Sequence, residues 1–235
     1  MTARSVLVTG GNQGIGLGVA RRLAAAGHRV AVTHHSSNAP DDLFAVKCNA
    51  ADPSSVAEAV ATAAAEHGAI EVLVCSAGIV RDGLMLRMPE HDWDDVIDTN
   101  LRGPWAASRA VLPAMAKARH GRLLFVSSVV GAVGSAGQAN YAASKAGLIG
   151  LARSLAREYA GRGITANVVA PGLVDTAMAQ ALTETQRDEI VERTPLRRAA
   201  TVEEVAAVAA FLVSDEASYV TGAVVPVDGG LGMGH

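Results

Sequence analysis

Short apolar segments rich in valine alternate along this chain with longer amphipathic segments rich in alanine. Because most of the short segments are apolar at nearly every position, they predict strands that are covered on both faces of a sheet. The longer segments repeat their apolar residues at the spacing of a helix. The predicted strands are Ser5–Thr9, Arg29–Thr33, Phe44–Cys48, Glu71–Cys75, Arg122–Ser127, Thr165–Val169 and Ala223–Val227. The predicted helices are Gly14–Ala26, Pro53–His67, Asp92–Arg119, Asn140–Arg162 and Val202–Val213.

Local signals mark where these helices begin and end. Asp52 before Pro53 is typical of an N-cap followed by proline in the first turn, and Thr201 with Glu204 predicts a capping box. Three glycines are predicted to end helices shortly before strands: Gly27, Gly68 and Gly121. The regular alternation of strands and helices favours parallel strands joined by right-handed crossovers. We therefore predict one Rossmann-like, doubly wound α/β domain over residues 1–235, with helices on both faces of the sheet.

Composition narrows the classes of function. Half of the 235 residues are hydrophobic and only 3% are aromatic, so the core is expected to consist mainly of alanine, valine and leucine. A net charge of −3 lacks the basic excess of nucleic-acid-binding proteins, and the longest nearly unbroken apolar run, Val205–Val213, is too short to span a bilayer. Cys48 and Cys75 match no metal spacing, and the N-terminus reaches glycines before a secretory segment could form. We expect a cytoplasmic protein without nucleic-acid or membrane partners.

A glycine-rich turn follows the first predicted strand. Glycine lets the backbone turn sharply and approach a diphosphate, because no Cβ stands in the way. The amides and the dipole of the helix that follows favour negative charge. The turn therefore predicts a dinucleotide site, although a tight strand–helix connection alone would also use these glycines. The expected contacts in this turn are Gly10, Asn12, Gln13, Gly14, Ile15 and Gly16.

Tyr141 and Lys145 are four residues apart, so on a helix they lie on one face, one turn from each other. A tyrosine has an ordinary pKa of about 10, and a nearby ammonium favours the phenolate. We expect Tyr141 to act as the general acid when a ketone is reduced, or as the general base in reverse. Ser128 is a hydroxyl donor suited to hold the substrate carbonyl oxygen while negative charge develops. Without further motifs, a tyrosine and a lysine at this spacing would also fit a solvent-exposed helix face with no catalytic role.

Several motifs together resemble the short-chain dehydrogenase/reductase family. They stand in the order typical of that family: Thr9-Gly-x3-Gly-Ile-Gly16, Asn100 in TNLRG, Ser128 in FVSSVVG, Tyr141 and Lys145 in YAASK, Pro171-Gly172 in APGLVDTAM, and finally SYVTGAVVPVDGG. Within the family, the segments QANYAASKAG, TANVVAPG and PVDGGLGMGH are most similar to the 3-oxoacyl-[acyl-carrier-protein] reductases of type II fatty-acid synthesis, particularly the actinobacterial ones.

The resemblance implies NADPH-dependent reduction of 3-oxoacyl thioesters by a homotetramer. It implies that Lys145 also binds the nicotinamide ribose, that Asn100 holds a water for proton relay, and that Arg119 and Arg162 dock the acyl carrier protein. The implied catalytic residues are Asn100, Ser128, Tyr141 and Lys145. The further implied cofactor contacts are His34, His35, Ser36, Asn49, Ala50, Ser76, Ala77, Gly78, Tyr141, Lys145, Pro171, Gly172, Val174 and Thr176.

The chain differs from the family pattern at several residues that are expected to contact the cofactor. Ser76 replaces the asparagine of the family's Asn-Ala-Gly, and Asn49 replaces an aspartate that contacts adenine, although an amide oxygen still accepts a hydrogen bond. Gln13 and His35 stand where NADPH-dependent relatives often carry arginine, and His34 stands where NAD-dependent relatives carry aspartate. We expect NADPH to be preferred over NADH, more strongly at low pH, because histidine ordinarily titrates near pH 6.5. Adjacent histidines on an extended segment point to opposite faces, so no metal is expected.

Two other functions fit the same residues. A reductase of small ketones or of acetoacetyl-CoA, or a secondary-alcohol dehydrogenase, would carry the same four catalytic residues with a different pocket. A non-catalytic protein that senses the cofactor would keep the glycine-rich turn, but such proteins usually lack the tyrosine or the lysine. The segment 173–198 is the predicted lid over the substrate, and its sequence does not indicate the acyl-chain length.

Overall fold

The computed structural model describes residues 3–35 and 39–233, and it confirms the predicted α/β fold class. The strands are β1 (Ser5–Thr9), β2 (Arg29–His34), β3 (Phe44–Lys47), β4 (Val72–Cys75), β5 (Gly121–Val126), β6 (Ile164–Pro171) and β7 (Val224–Val227). Within the described residues they form one parallel sheet in the order β3-β2-β1-β4-β5-β6-β7. The helices are α1 (Gly14–Ala25), α2 (Pro53–His67), α3 (Glu90–Ile97), α4 (Gly103–Ala118), α5 (Val130–Val133), α6 (Ala139–Tyr159), α7 (Glu184–Arg193) and α8 (Val202–Val213).

The sheet separates two apolar layers. Neighbouring residues of a strand point to opposite faces, so Leu7 packs on the side of α2, α4 and α6, whereas Val6 and Val8 pack on the side of α1 and α8. The strand order reverses direction between β1 and β4. In a doubly wound sheet, the carboxyl ends of the strands at such a reversal form the crevice that binds a ligand.

Several local signals act as the sequence predicts. Asp52 caps α2 by accepting a hydrogen bond from the N–H of Ser54 at 2.9 Å, and the capping box at the start of α8 is formed. Gly27 and Gly68 both have positive φ angles close to the ends of their helices. The prediction for Gly121 is wrong, because this residue opens β5 instead. α4 ends earlier, at Ala118, and its C-cap residue Arg119 adopts the left-handed conformation with φ 55°.

The helix predicted over Asp92–Arg119 is interrupted. α3 and α4 are joined by a π-helical turn at Asp98–Arg102, and Asn100 lies in this turn. A π turn inserts an extra residue without ending the helix, so the spacing of apolar residues does not reveal it. The sequence also leaves α5 and α7 unpredicted, although α7 lies inside the predicted lid. In the described part of the chain, no helix combines the length and apolarity needed to cross a membrane.

A cluster of charged side chains lies at the amino ends of several strands. Arg4 and Arg122 are buried, and both form ion pairs with Asp215, which follows α8. His28 accepts a hydrogen bond through Nδ1 from the N–H of Arg4 at 3.1 Å. Burial, followed by the charge of Arg4, lowers the pKa of His28. Burial, followed by the charge of Arg122, lowers the pKa of His120 in the same cluster.

These two histidines should make the fold less stable in mild acid. An unfolded histidine titrates near pH 6.5, and the folded chain holds both side chains neutral to lower pH, so below about pH 6.5 the unfolded chain binds more protons. The stability linked to them is complete above that pH and falls as the pH drops, despite the opposing charges of Glu71 and Asp215. In the double variant His28→Asn, His120→Asn, the fall in melting temperature from about pH 7.5 to 5.5 should be smaller by roughly 2 °C. An unchanged fall would contradict this assignment.

Candidate active site

The glycine-rich turn forms an open cradle at the carboxyl edge of the sheet, and all six residues predicted in it lie there. Gly10 has φ +63°, and a Cβ at this position would lie 2.7 Å from the Cα of Ala77. A Cβ at Gly16 would lie 2.4 Å from the carbonyl oxygen of Gly10, so another residue at either position requires the backbone to move. Gln13 is the N-cap of α1 but its side chain makes no capping hydrogen bond, which leaves the first amides of the helix for an anion. This backbone fits the diphosphate of a dinucleotide.

Two buried threonine hydroxyls hold the cradle in place. Thr9 Oγ1 accepts hydrogen bonds from the N–H groups of Ser76 at 3.2 Å and Ala77 at 3.3 Å. Thr33 Oγ1 accepts a hydrogen bond from the N–H of Gly10 at 3.1 Å. These contacts join the carboxyl ends of β1, β2 and β4. Sequence analysis includes Thr9 in the family motif without giving it a role, and it does not mention the role of Thr33. The signal for both was a polar residue near the carboxyl end of an otherwise apolar strand.

The predicted adenosine contacts follow β2 and β3, which are neighbours in the sheet. His34 is half-buried and His35 is exposed. The amide oxygen of Asn49 accepts a hydrogen bond at 3.1 Å from the backbone two residues on, so one of its lone pairs is already used. Ala50 beside it is half-buried, and Ser36 lies outside the described residues. Over residues 3–35 and 39–233, no group of three or more histidine, cysteine or acidic side chains is placed to hold a metal ion.

The residues after β6 lie across the cradle from these contacts. A Cβ at Gly14 would lie 3.4 Å from the Cγ2 of Thr176, so the segment that begins with Pro171 and Gly172 closes over the glycine-rich turn. The side chain of Val174 is buried in the apolar layer of α1 and α8. A contact from Val174 to a cofactor would therefore come from its backbone.

Ser128, Tyr141 and Lys145 converge beside the cradle. Ser128 follows β5, and its hydroxyl lies near enough to Tyr141 to affect the pKa of the phenol. Tyr141 and Lys145 lie in the first two turns of α6. Lys145 Nζ donates a hydrogen bond to the carbonyl oxygen of Val126 at 2.9 Å and lies 5.4 Å from the centre of the Tyr141 ring. Lys145 is buried, and this burial lowers its pKa to about 8, against a smaller opposing effect of Cys75.

The pKa of Tyr141 is raised rather than lowered. Burial has the largest effect, the hydrogen bond from Ser128 opposes it, and the carboxylate of Asp82 adds to it. The prediction that Lys145 lowers this pKa is wrong, because its ammonium lies over the ring and bonds to a carbonyl oxygen instead of meeting the hydroxyl. Tyr141 is thus held as a neutral phenol, which is the form that donates a proton.

Asn100 links the loop after β4 to α6. Its Oδ1 accepts a hydrogen bond from the N–H of Ile79 at 2.8 Å, and its Nδ2 donates to the Ile79 carbonyl at 3.0 Å and to Ser144 Oγ at 3.3 Å. A Cβ at Gly78 would lie 3.3 Å from Asn100 Oδ1 and 3.5 Å from Lys145 Nζ. The structure therefore brings all four predicted catalytic residues to the same edge as the cradle. Ser144 was not predicted, although it stands inside the YAASK motif.

The two predicted docking arginines lie together but far from Tyr141. Arg119 follows α4, and its Nη2 donates a hydrogen bond at 2.8 Å to the carbonyl oxygen of Gly161, next to Arg162. Both arginines shortly precede strands and lie at the amino edge of the sheet, whereas Tyr141 lies at the carboxyl edge. From Tyr141 to Arg162 the chain advances about 30 Å along α6. Close to the arginines is a shallow depression of about 550 Å³, lined by Ala116, Lys117, Glu158, Tyr159 and Arg162.

Known proteins are similar to this chain over almost its whole length. The model of a family described as enoyl-(acyl carrier protein) reductase matches residues 10–232. The 3-oxoacyl-[acyl-carrier-protein] reductase MabA of Mycobacterium tuberculosis is 51% identical over 234 residues, which are 99% of this chain and 94% of that protein. MabA of Mycobacterium avium is 50% identical over 233 residues, covering 99% and 91%. FabG of Escherichia coli, also named a 3-oxoacyl-[acyl-carrier-protein] reductase, is 46% identical over 235 residues, covering 97% and 96%. The chain belongs to the short-chain dehydrogenase/reductase family.

Membership of the short-chain dehydrogenase/reductase family confirms the predicted resemblance and the class of NAD(P)H-dependent oxidoreductases. The departure at Ser76 leaves the cradle intact in this family member. A Cβ at Gly16 would lie 3.1 Å from Ser76 Oγ, so the serine hydroxyl reaches the start of α1. The backbone of Ser76 is held by Thr9, and a longer amide side chain is not needed for that contact.

Proposed function

We propose that the chain reduces 3-oxoacyl thioesters on an acyl carrier protein to 3-hydroxyacyl thioesters with NADPH, as a step of type II fatty-acid synthesis. The observation that carries this proposal is the convergence of the Ser128 and Tyr141 hydroxyls near buried Lys145, beside a cradle that fits a diphosphate. The names of MabA and FabG, both 3-oxoacyl-[acyl-carrier-protein] reductases, support the thioester substrate. A cytoplasmic location is part of the proposal and agrees with the free thiols of Cys48 and Cys75.

The two hydroxyls act on the ketone oxygen of the substrate. Ser128 donates a hydrogen bond to this oxygen as negative charge develops on it. Tyr141 transfers its phenolic proton to the same oxygen, which becomes the hydroxyl of the product while the ketone carbon gains a hydride. When bound, NADPH supplies that hydride. The phenolate left on Tyr141 must then regain a proton before the next turnover.

Lys145 and Asn100 return the proton in this proposal. With a pKa of about 8, the side chain of Lys145 can give a proton as the ammonium and take one up again as the neutral amine near neutral pH. A water held by Asn100, as the family resemblance implies, would connect Lys145 to solvent. The hydrogen bonds that Asn100 makes to Ile79 fix its place in the π turn, so this end of the relay is preorganised.

NADPH would lie across the carboxyl edge of the sheet. The diphosphate would meet the amides from Gly10 to Gly16, the nicotinamide ribose would meet Tyr141 and Lys145, and the adenosine would lie near β2 and β3. The segment from Pro171 to Thr176 would cover the cofactor from the opposite side. The cradle and the placement of the predicted contacts around it support these positions.

His35 should contribute much of the preference for NADPH. Its exposed side chain follows β2, and His34 leaves the chain without the aspartate that would repel a 2′-phosphate. A hydrogen bond to a phosphate is worth about 1 kcal/mol when the donor is neutral and more when it is charged. We expect His35→Ala to raise the dissociation constant for NADPH about fivefold and His35→Arg to lower it, with NADH little affected.

Cofactor fluorescence titrations at about pH 6 and pH 8 would measure these constants, with His91→Ala on α3 as the control for an exposed histidine elsewhere. The preference for NADPH should be larger at the lower pH in the parent protein and flatter in His35→Arg. A preference for NADH at both pH values, or an unchanged NADPH constant in His35→Ala, would show that this histidine does not bind the phosphate.

The carrier protein would dock on Arg119 and Arg162 of one subunit and serve the active site of another. A phosphopantetheine arm has about as many backbone bonds as five extended residues, so it reaches roughly 17 Å. The distance along α6 from Arg162 to Tyr141 is about 30 Å, which exceeds that reach. We therefore infer delivery between subunits of a homo-oligomer, which we expect to be a tetramer. Exposed small residues on α6, among them Ala146 and Gly150, leave room for another helix.

A substrate panel tests the proposed function. The purified protein would be given 3-oxoacyl groups on carrier protein and on CoA, free ketones, and an enoyl thioester, each with NADPH and with NADH. We expect kcat/KM for the 3-oxoacyl thioesters with NADPH to exceed that for the other classes at least tenfold, roughly the discrimination that one lost contact gives. Turnover of free ketones alone, or of the enoyl thioester alone, would contradict the proposal.

A further inference from the structure

Two loops meet beside the turn of α6 that carries Tyr141, and we infer that substrate enters the site at this point. Gln138 Nε2 donates a hydrogen bond to Asp82 Oδ1 at 3.0 Å, and Asn140 Nδ2 donates to the carbonyl oxygen of Arg81 at 2.9 Å. A backbone hydrogen bond of 2.8 Å runs from the N–H of Gly83 to the opposite loop. Three successive residues of the loop after β4 therefore contact the segment that leads into α6. These contacts fix the position of the Asp82 carboxylate.

The Asp82 carboxylate is tied to the first turn of α6, which also carries the catalytic phenol. Gln138 is the N-cap of α6, and Tyr141 is the third residue of that helix, so the two lie on the same turn. The charge of Asp82 adds a smaller effect to the burial that raises the pKa of the phenol. The Asp82 side chain is nevertheless exposed, so a substrate approaching Tyr141 passes beside a negative charge that is open to solvent.

Nearby cations leave this charge uncompensated. The guanidinium of Arg81 faces away, with its Nε 3.9 Å from carboxylate oxygens of Asp92 and Asp95. Lys145 is buried and donates its hydrogen bond to a backbone carbonyl. Among the residues that the structure describes, Asp82 has no ion-pair partner within 4.0 Å. Within the same described residues, its one side-chain hydrogen bond comes from the neutral amide of Gln138.

We propose that Asp82 is a specificity-determining residue, whose carboxylate disfavours substrates with a negative charge beside the reacting ketone and so selects neutral 3-oxoacyl thioesters over free 3-oxo acids. The inference rests on the proposed function. In a 3-oxo acid the carboxylate is separated from the ketone carbon by one methylene, so binding the ketone at Ser128 and Tyr141 brings that carboxylate into the entrance. In the thioester the same position is uncharged, and the repulsion is absent.

The test compares acetoacetate with a neutral thioester of the same acyl group, acetoacetyl-N-acetylcysteamine. Asp82→Asn keeps the size of the side chain and an oxygen that accepts the Gln138 hydrogen bond, but removes the charge. We expect kcat/KM for acetoacetate to rise about five- to tenfold, the size of one like-charge repulsion weakened by water, and kcat/KM for the thioester to change less than about twofold. Glu66→Gln, which removes an exposed carboxylate at the far end of α2, should leave the ratio of the two values unchanged.

The salt dependence of the same ratio provides a second measurement. Raising the salt concentration should increase the acetoacetate-to-thioester ratio, because added ions screen the repulsion, and it should do so much less in Asp82→Asn. If acetoacetate is not turned over, its inhibition constant against the thioester takes the place of kcat/KM. Equal changes for both substrates in Asp82→Asn, or a ratio independent of salt, would overturn the proposal. Failure of the parent protein to reduce the thioester would instead contradict the proposed function.

Discussion

Tyr141→Phe should lower kcat for reduction of a 3-oxoacyl thioester by roughly a thousandfold, within the range expected for loss of a positioned general acid. The substitution removes the transferable proton and the hydroxyl contact with Ser128, while the ring remains to pack in the same place. The hydrogen bond from Lys145 to Val126 does not involve Tyr141, so the position of Lys145 should not change. The loss should therefore fall on the chemical step.

Three measurements separate this effect from damage to the fold. The melting temperature and the dissociation constant for NADPH of Tyr141→Phe should stay close to those of the parent protein. Tyr219→Phe removes the same hydroxyl from a fully exposed side chain that follows α8 and should keep full activity. A kcat for Tyr141→Phe within about threefold of the parent would show that this tyrosine is not the proton donor.

The double variant Arg119→Glu, Arg162→Glu should lower kcat/KM for carrier-bound substrate about thirtyfold or more at low salt. An acidic carrier helix is attracted to an arginine pair by long-range steering and by charge-assisted hydrogen bonds, and both become repulsive after the exchange. Acetoacetyl-CoA needs no docking helix, so its kcat/KM should change less than about twofold. Arg29→Glu, at another exposed arginine near the amino edge, is the control. An equal loss on both substrates would contradict docking at this pair.

Mixed oligomers test whether the carrier serves a different subunit. Tyr141→Phe subunits keep the arginine pair but lack the proton donor, and the double-Glu subunits have the reverse defect. If the arm crosses between subunits, co-expressed hetero-oligomers should recover carrier-dependent activity that neither parent variant shows. Activity no greater than the sum of the two homo-oligomers would contradict delivery between subunits. Light scattering of each preparation would confirm that the mixed samples are oligomers.

The sequence predicts the sheet and most helix ends because their causes are local. The near-continuous apolar strands and the capping box of Thr201 and Glu204 depend on residues a few positions apart. The π turn has a different cause, since it is fixed by Asn100 bonding to Ile79, a partner 21 residues away. The spacing of apolar residues within the segment therefore does not predict the π turn.

Some features of the candidate site could likewise be predicted from the sequence, and others could not. The spacing of Ser128, Tyr141 and Lys145 predicts that they meet, and they do. The direction of the Tyr141 pKa could not be predicted, because it depends on burial and on where the Lys145 ammonium points. The hydrogen bond between Gln138 and Asp82 joins residues 56 positions apart, and neither belongs to a motif that suggests the other.

The most direct test of the proposed function is to follow the hydride. The parent protein would be given acetoacetyl groups on acyl carrier protein together with NADPH that carries deuterium at the transferable position of the nicotinamide. Mass spectrometry of the carrier should show a 3-hydroxybutyryl group with deuterium on the carbon that was the ketone, formed faster than with NADH. An unchanged acetoacetyl carrier with both cofactors, while an enoyl thioester or a free ketone is reduced, would contradict the proposed function.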